Sequence, residues 1–163
     1  MENVWIEKLA IQELCARYCH TIDAQDADGW AKCFTADGAF EFDGSVIRGY
    51  AALREYAEVH ARVMRCRHMT LNHLYDVHGT EATGRSTTVV TLATAGGYKI
   101  FGQGGYDDRL IKHDGEWRFV HRCVATDRLV SAPEKAINLA DPDVAELVRH
   151  LVAAAQRLAQ KGS

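Results

Sequence analysis

The second half of the chain carries four successive stretches rich in β-branched and aromatic residues: Arg67–His78, Thr83–Ala95, Lys99–His113 and Trp117–Leu129. Only turn chemistry separates them, at Gly79-Thr80, Gly96-Gly97 and His113-Asp114-Gly115-Glu116. Each stretch therefore reads as a hairpin arm, and together they predict a long antiparallel meander. Strands of this length twist and need a bulge or a bend, for which Gly102, Gly104 and Gly105 are the natural positions. Gly102-Gln-Gly-Gly-Tyr lies mid-strand, not between a strand and a helix, so it is a sheet bend and no nucleotide loop.

The segments on either side of the meander have helical periodicity. Residues 3–21 place Ile6, Ala10, Leu14 and Ile11, Tyr18, Ile22 at three- and four-residue steps. A turn at Asp23–Asp28 and a short helix over Gly29–Phe34 follow. A turn at Asp37-Gly38 then leads to a strand at Ala39–Phe42, and a brief strand comes near Val46–Arg48. Tyr50–Val63 reads as a helix with Leu53, Tyr56, Ala57 and His60 on one face. After a loop at 131–140, Asp141-Pro-Asp opens a last helix whose stripe is Val144, Leu147, Val148, Leu151, Val152 and Leu158. Helices, then a meander, then a helix define an α+β protein, and 163 residues suit one domain. Residues 1–130 form the cup, and residues 131–163 a loop and helix packed on it. A strongly curved antiparallel sheet wrapped around N-terminal helices gives a cone-shaped α+β barrel with an apolar pocket.

A formal net charge of −3 and a pI near 6.2 leave no nucleic-acid or membrane-surface footprint. No apolar run approaches the roughly 18 residues of a membrane span. The amphipathic start, with Glu2, Glu7 and Lys8, is unlike a signal peptide, so a cytoplasmic location is expected. Cys15, Cys19, Cys33, Cys66 and Cys123 are odd in number and form no Cys-x-x-Cys pair, which fits reduced thiols. His68 and His73 have the wrong parity for two ligands on one strand face, and the remaining histidines show no ligand grouping. The expectation is no metal and no cofactor.

The chemistry centres on Arg67–Leu74. As a strand this segment sets His68, Thr70 and Asn72 on one face and Met69, Leu71 and His73 on the other. An imidazole, a hydroxyl and an amide in a row belong to a cavity wall. Asp23 follows Ile22 at the end of a core-facing helix, and a buried carboxylate needs a partner, for which His68 is the candidate. In such a pair the carboxylate fixes the tautomer, and the other ring nitrogen is free to take a proton. Tyr18 shares the apolar face with Ile11 and Leu14 and is a candidate proton donor or substrate anchor. Arg122 shares a strand face with Val120 and Val124, so it either lines the pocket and stabilises negative charge or pairs with Asp107, Asp108 or Asp127. Trp117, Phe119 and His121 fall on the opposite, outer face.

The run Ile11-Gln-Glu-Leu-Cys-Ala-Arg-Tyr18, then Ile22-Asp23, Trp30 and Cys33-Phe34-Thr-Ala-Asp-Gly-Ala-Phe, resembles the opening of a SnoaL-like domain. Arg67-His68, Asn72, Tyr106-Asp-Asp-Arg-Leu and Asp114-Gly-Glu-Trp-Arg-Phe extend the resemblance over residues 5–130. That family belongs to the nuclear transport factor two-like superfamily, with scytalone dehydratase and ketosteroid isomerase. The pattern is similar to that of hexachlorocyclohexane dehydrochlorinase and bile-acid dehydratase, although the former has a lysine at the position of Tyr18. The bile-acid enzyme has an acidic residue in the strand corresponding to Thr87–Leu92, where this chain has none. The resemblance implies a cofactor-independent lyase acting on a small hydrophobic ring. It implies Asp23, His68, Arg122 and Tyr18 as catalytic residues; Asn72, Thr70, Trp30 and Phe34 are the expected substrate-binding ones. Ketosteroid-type isomerisation and a non-catalytic binding or assembly module are the alternatives. A homodimer or homotrimer is expected, with no nucleic-acid or membrane partner.

Overall fold

The apolar stripe of the first helix decides where the sheet must lie. In the computed structural model, which describes residues 4–95, 97–126, 137 and 139–161, α1 (Val4–Asp23) buries Ile11, Leu14, Cys15, Tyr18, Cys19 and Ile22. Ile6 and Ala10, expected on the same stripe, point to solvent. α1 packs on the hollow of the sheet, mainly against β3 (Cys66–His78) and β6 (Glu116–Thr126). After α1 come α2 (Ala27–Ala31), capped by the Asp26 carboxylate on the Gly29 N–H at 2.9 Å, and β1 (Phe34–Phe42). The order continues with β2 (Ser45–Arg48), α3 (Tyr50–Val63), β3, β4 (Glu81–Thr94), β5 (Gly97–His113), β6 and α4 (Pro142–Lys161).

The sheet has six strands in the order β2-β1-β6-β5-β4-β3. It is curved and unclosed, and with the helices in its hollow it makes an α+β cone. The meander β3–β6 is antiparallel as expected, whereas β1 joins β6 in parallel. β1 also begins at Phe34 rather than Ala39. Gly38 makes this possible, because a Cβ there would lie 2.9 Å from the Phe119 carbonyl oxygen. The loop expected at 131–140 lies mostly outside the described residues.

Curvature comes from extra residues in the ladder. In β3 the residues Asn72 and His73 together face Ser86 alone, and Asn72 has φ +53°. In β5 Phe101 has no partner between the Val90–Gly102 and Thr91–Ile100 pairs, so the bend expected around Gly102 is centred one residue earlier. In β6 Val120 is the additional residue between Phe119 and His121. Each insertion reverses side-chain parity. That is why Trp117 and Phe119, expected outside, lie in the core, while His121 faces out against Glu41.

α4 closes the open side of the cone. Its buried face (Val144, Leu151, Ala154, Ala155, Leu158) packs on β2 and α3. Its start is tied to β5 by Lys99, whose Nζ lies 2.7 Å from Asp141 and 3.2 Å from Asp143.

At the opposite end, buried Glu7 on α1 accepts hydrogen bonds from Lys112 Nζ (2.8 Å) and Trp117 Nε1 (2.7 Å). These two bonds hold its carboxyl below the ordinary 4.5, against the pull of burial. A depressed folded-state value stabilises the fold above the unfolded pKa, and the contribution is lost as pH falls through the folded one. Thermal melts between about pH 5 and pH 2 should therefore show wild type losing stability toward acid, with a shallower acid limb in Glu7→Gln.

Candidate active site

The hollow between sheet, α1, α3 and α4 is a cavity of about 500 Å³. Ile22, Phe40, Met64, Val90, Phe101 and Leu151 give it an apolar wall. Among the described residues the polar groups on that wall are few: Tyr18, Tyr56, Tyr106, His60, His68, Thr88, Gln103 and Asp43. An apolar cavity of this size with a few convergent polar groups is the usual form of a small-molecule site.

Asp23 and His68 meet here. Among the described residues β3 is an edge strand, so the outward N–H groups on its free side have no strand there to bond. Asp23, the last residue of α1, supplies the missing acceptor: its Oδ2 takes the His68 backbone N–H at 2.9 Å. Its Oδ1 lies 2.7 Å from His68 Nδ1. One carboxylate thus holds one histidine at two points, and both side chains are about one-tenth exposed. With Nδ1–H donated to Asp23, Nε2 is the nitrogen available as a base.

Sequence reasoning gave no role to His60. It lies on the buried face of α3 with Leu53, Tyr56 and Ala57, a spacing that does mark it as inward-facing. Its ring is 5.7 Å from that of His68. Burial, followed by the neighbouring His68, pushes His60 down to about 3, so it stays neutral. Cys66 sits behind both: its Sγ is 3.8 Å from His60 Nε2, 3.7 Å from His68 Nδ1 and 3.7 Å from Asp23 Oδ1. Burial and the Asp23 carboxylate raise this thiol to about 12. Burial likewise raises Tyr18 and Tyr56 and takes Tyr106 up to about 12. All three phenols therefore keep their protons and can donate to an oxygen in the cavity.

The other expected site residues are dispersed. Tyr18 lines the cavity, but Arg122 does not. The Arg122 side chain is wholly buried and bidentate on Asp108, with Nε–Oδ1 and Nη2–Oδ2 both 2.8 Å. Its guanidinium carbon lies 3.8–4.4 Å from the ring centroids of Phe119, Tyr106 and Tyr18. Burial works against this charge, but Asp108 outweighs it and holds the guanidinium pKa above its ordinary value. The ion-pair alternative thus describes its surroundings, with Asp108 as the partner. Trp30 and Phe34 belong to the aromatic core behind Tyr18, outside the cavity wall. Thr70 is half-buried beside Cys19, with 3.9 Å between Oγ1 and Sγ. Asn72 is exposed and reaches Thr87 instead, while the bulge turns His73 inward to stack on Tyr75. The expected parity of Asn72 and His73 is therefore reversed.

A curved sheet around helices, with an Asp–His pair on the wall of an apolar cavity, defines a cone of the nuclear transport factor two-like class. The SnoaL-like domain model matches residues 6–123, and the chain belongs to that family. A variant of Rv3472, a protein of unknown function from Mycobacterium tuberculosis, is 66% identical with a TM-score of 0.90, over 94% of this chain and 91% of that one. A Novosphingobium aromaticivorans protein provisionally described as a scytalone dehydratase is 25% identical, over 74% and 83% of the two chains, with a TM-score of 0.67. The beta subunit of a provisionally assigned aromatic-ring-hydroxylating dioxygenase from the same organism shares the fold at 19% identity, over 82% and 97%, with a TM-score of 0.66. No curated protein matches the chain.

Removing one partner of a buried ion pair strands the other charge. Asp108→Ala should cost about 3–5 kcal/mol in urea denaturation. Combining Asp108→Leu with Arg122→Met should recover much of that loss.

Proposed function

We propose that this protein is a cofactor-independent lyase of the dehydratase type, acting on a small hydrophobic ring compound. The observation that carries the reading is the two-point hold of Asp23 on His68 at the wall of an apolar cavity. His68 Nε2 takes a proton from a ring carbon adjacent to a carbonyl. The electron pair forms the new double bond, and the C–O bond to the neighbouring carbon breaks. The departing hydroxide gains a proton from the medium or through a phenol and leaves as water. Asp23 keeps the tautomer and steadies the imidazolium, and general-base catalysis by His68 would contribute roughly 10²–10⁴-fold. Tyr18 is the nearest fit for a donor to the substrate oxygen: a neutral phenol held by the Arg122 guanidinium beneath its ring. Arg122 acts here as a positioning residue.

Ketosteroid-type proton transfer uses the same dyad without loss of water. The three neutral phenols, as donors to an enolate oxygen, are what favours keeping it as the second reading. A cytoplasmic setting suits the five free thiols. No helix among the described residues is long and apolar enough to cross a membrane.

The test is a panel of steroids, polyketide-like phenols and cyclic hydroxy ketones, incubated with wild type and with His68→Ala and read by mass spectrometry. Loss of water from one compound, reduced about 10²-fold or more in His68→Ala, is the expected result. An isomer of unchanged mass would select the second reading. Binding that survives in both proteins without product would reduce the dyad to a cavity wall.

We also propose a homo-oligomer that covers Met69, Leu71 and Leu74 on the outer face of β3, all of them exposed in the single chain. Light scattering should give a dimer or trimer mass for wild type and a lower mass for Leu71→Asp.

A further inference from the structure

We propose that the chain binds one thiophilic divalent cation, zinc in particular, at Cys66, His60, His68 and Asp23. The ion would occupy the same pair that the proposed reaction uses as its base. Ligand atoms of His60, Cys66 and His68 lie within 4.8 Å of one another. Cys66 Sγ is the hub, 3.7–3.8 Å from His60 Nε2, His68 Nδ1 and Asp23 Oδ1. Tetrahedral zinc with Zn–S of about 2.3 Å and Zn–N of about 2.0–2.1 Å needs sulfur–nitrogen separations of roughly 3.5 Å. Those two sulfur–nitrogen separations are thus a few tenths of an ångström above the tetrahedral value, while Asp23 Oδ1, now 2.7 Å from His68 Nδ1, must draw back as the ion enters. One thiolate, two imidazoles and one carboxylate form a donor set that suits borderline-soft zinc and cobalt over magnesium or calcium.

Three rigid elements bring the donors together. His60 comes from the last turn of α3, Cys66 and His68 from the start of β3, and Asp23 from the end of α1. His60 and His68 line the cavity, so an ion can enter there and meet the thiol behind them. His60 has no other task in view. Its Nδ1 is buried with no hydrogen-bond partner among the described residues, and its Nε2 faces only the thiol.

The protons balance simply. Cys66 gives its thiol proton to solvent as sulfur bonds the metal. The His68 proton, now on Nδ1 and donated to Asp23, moves through solvent to Nε2, so the imidazole stays neutral and the thiol proton is the only one released. Asp23 Oδ1 becomes the fourth ligand, while Oδ2 retains the His68 backbone N–H. Nε2 then presents a hydrogen and no lone pair to the cavity. The metal-bound form cannot take a proton from substrate, so zinc would switch the proposed base off.

This consequence rests on the lyase reading, but the site itself does not. The first experiment therefore needs no turnover: cobalt titrated into the metal-free protein, read by absorption. A tetrahedral thiolate site gives intense visible d–d bands and a sulfur-to-cobalt charge-transfer band, saturating at one ion per chain and bleached by zinc. Cys66→Ala should lose the charge-transfer band and bind zinc at least about 100-fold more weakly by calorimetry. His60→Gln should weaken binding in the same sense. Cys66→Ala leaves the Asp23–His68 pair in place, and circular dichroism confirms its fold. Weak octahedral cobalt spectra, or affinity unchanged in Cys66→Ala, would overturn the proposal and assign the ion to surface imidazoles. A saturable thiolate spectrum in a protein that turns over no compound would keep the metal site and discard the lyase.

Discussion

One carboxylate joins the helical layer to the sheet at the point where the proposed chemistry would occur. Asp23 accepts both the backbone N–H and the ring Nδ1–H of His68. The first bond satisfies a donor that an edge strand would otherwise leave bare, and the second orients the imidazole. The two are inseparable in their geometry. If α1 were rotated so that its stripe no longer buried Tyr18 and Ile22, Asp23 would leave the edge and His68 would lose both its register anchor and its tautomer. Fold and site therefore share one constraint, which makes the dyad stiffer than two side chains meeting across a cleft.

Beneath the cavity a second polar group is built differently. Arg122 and Asp108 form a bidentate pair, Tyr75 donates to Asp108 Oδ2 at 2.7 Å, and Cys15 lies 3.2 Å from the Tyr75 hydroxyl and 3.4 Å from Arg122 Nη2. Burying such a pair is of little net benefit to stability compared with apolar residues of the same volume. Its effect is geometric. The guanidinium packs beneath Tyr18, Tyr106 and Phe119, and each face-on cation–π contact is worth about 0.5–2 kcal/mol. The rings of Tyr18 and Tyr106, both on the cavity wall, are thereby packed against one buried charge.

Much of this was legible in sequence, and the limit of legibility has one physical origin. The Tyr50–Val63 helix, the four strands and the Asp23–His68 pairing follow from periodicity, turn residues and the need of a buried carboxylate for a donor. What failed was parity beyond a bulge. Counting alternate residues through Asn72 sends His73 outward, and counting through Val120 sends Trp117 and Phe119 outward, yet one inserted residue in each strand reverses both. No local signal marks these insertions: Val120 is an ordinary strand residue, and Asn72 shows only an asparagine's tolerance of positive φ. Trp30 and Phe34 were misplaced for another reason. Their aromatic character is the same whether they line a cavity or back the tyrosine that does.

The ionisation pattern narrows what the cavity accepts. Burial drives His60 and the phenols of Tyr18, Tyr56 and Tyr106 toward their neutral forms, and burial with Asp23 does the same to the Cys66 thiol. Among the described residues an anionic ligand would find no Lys or Arg on the wall to pair with, since Arg122 is already committed to Asp108 behind the aromatic layer. A cationic ligand would meet, among the described residues, the Asp43 carboxylate on the wall, with the Asp23 carboxylate already occupied by His68. The proposed substrate class, an uncharged ring with one or two oxygens, matches these described groups: apolar surface enough to fill the hollow, and acceptors for phenolic hydrogens. That is also the class whose C–H proton a neutral imidazole can remove only with help, because charge develops on the ring as the proton leaves. Neutral donors positioned at the oxygen meet that requirement without attracting water into the hollow, and here they come from aromatic residues that simultaneously form its wall.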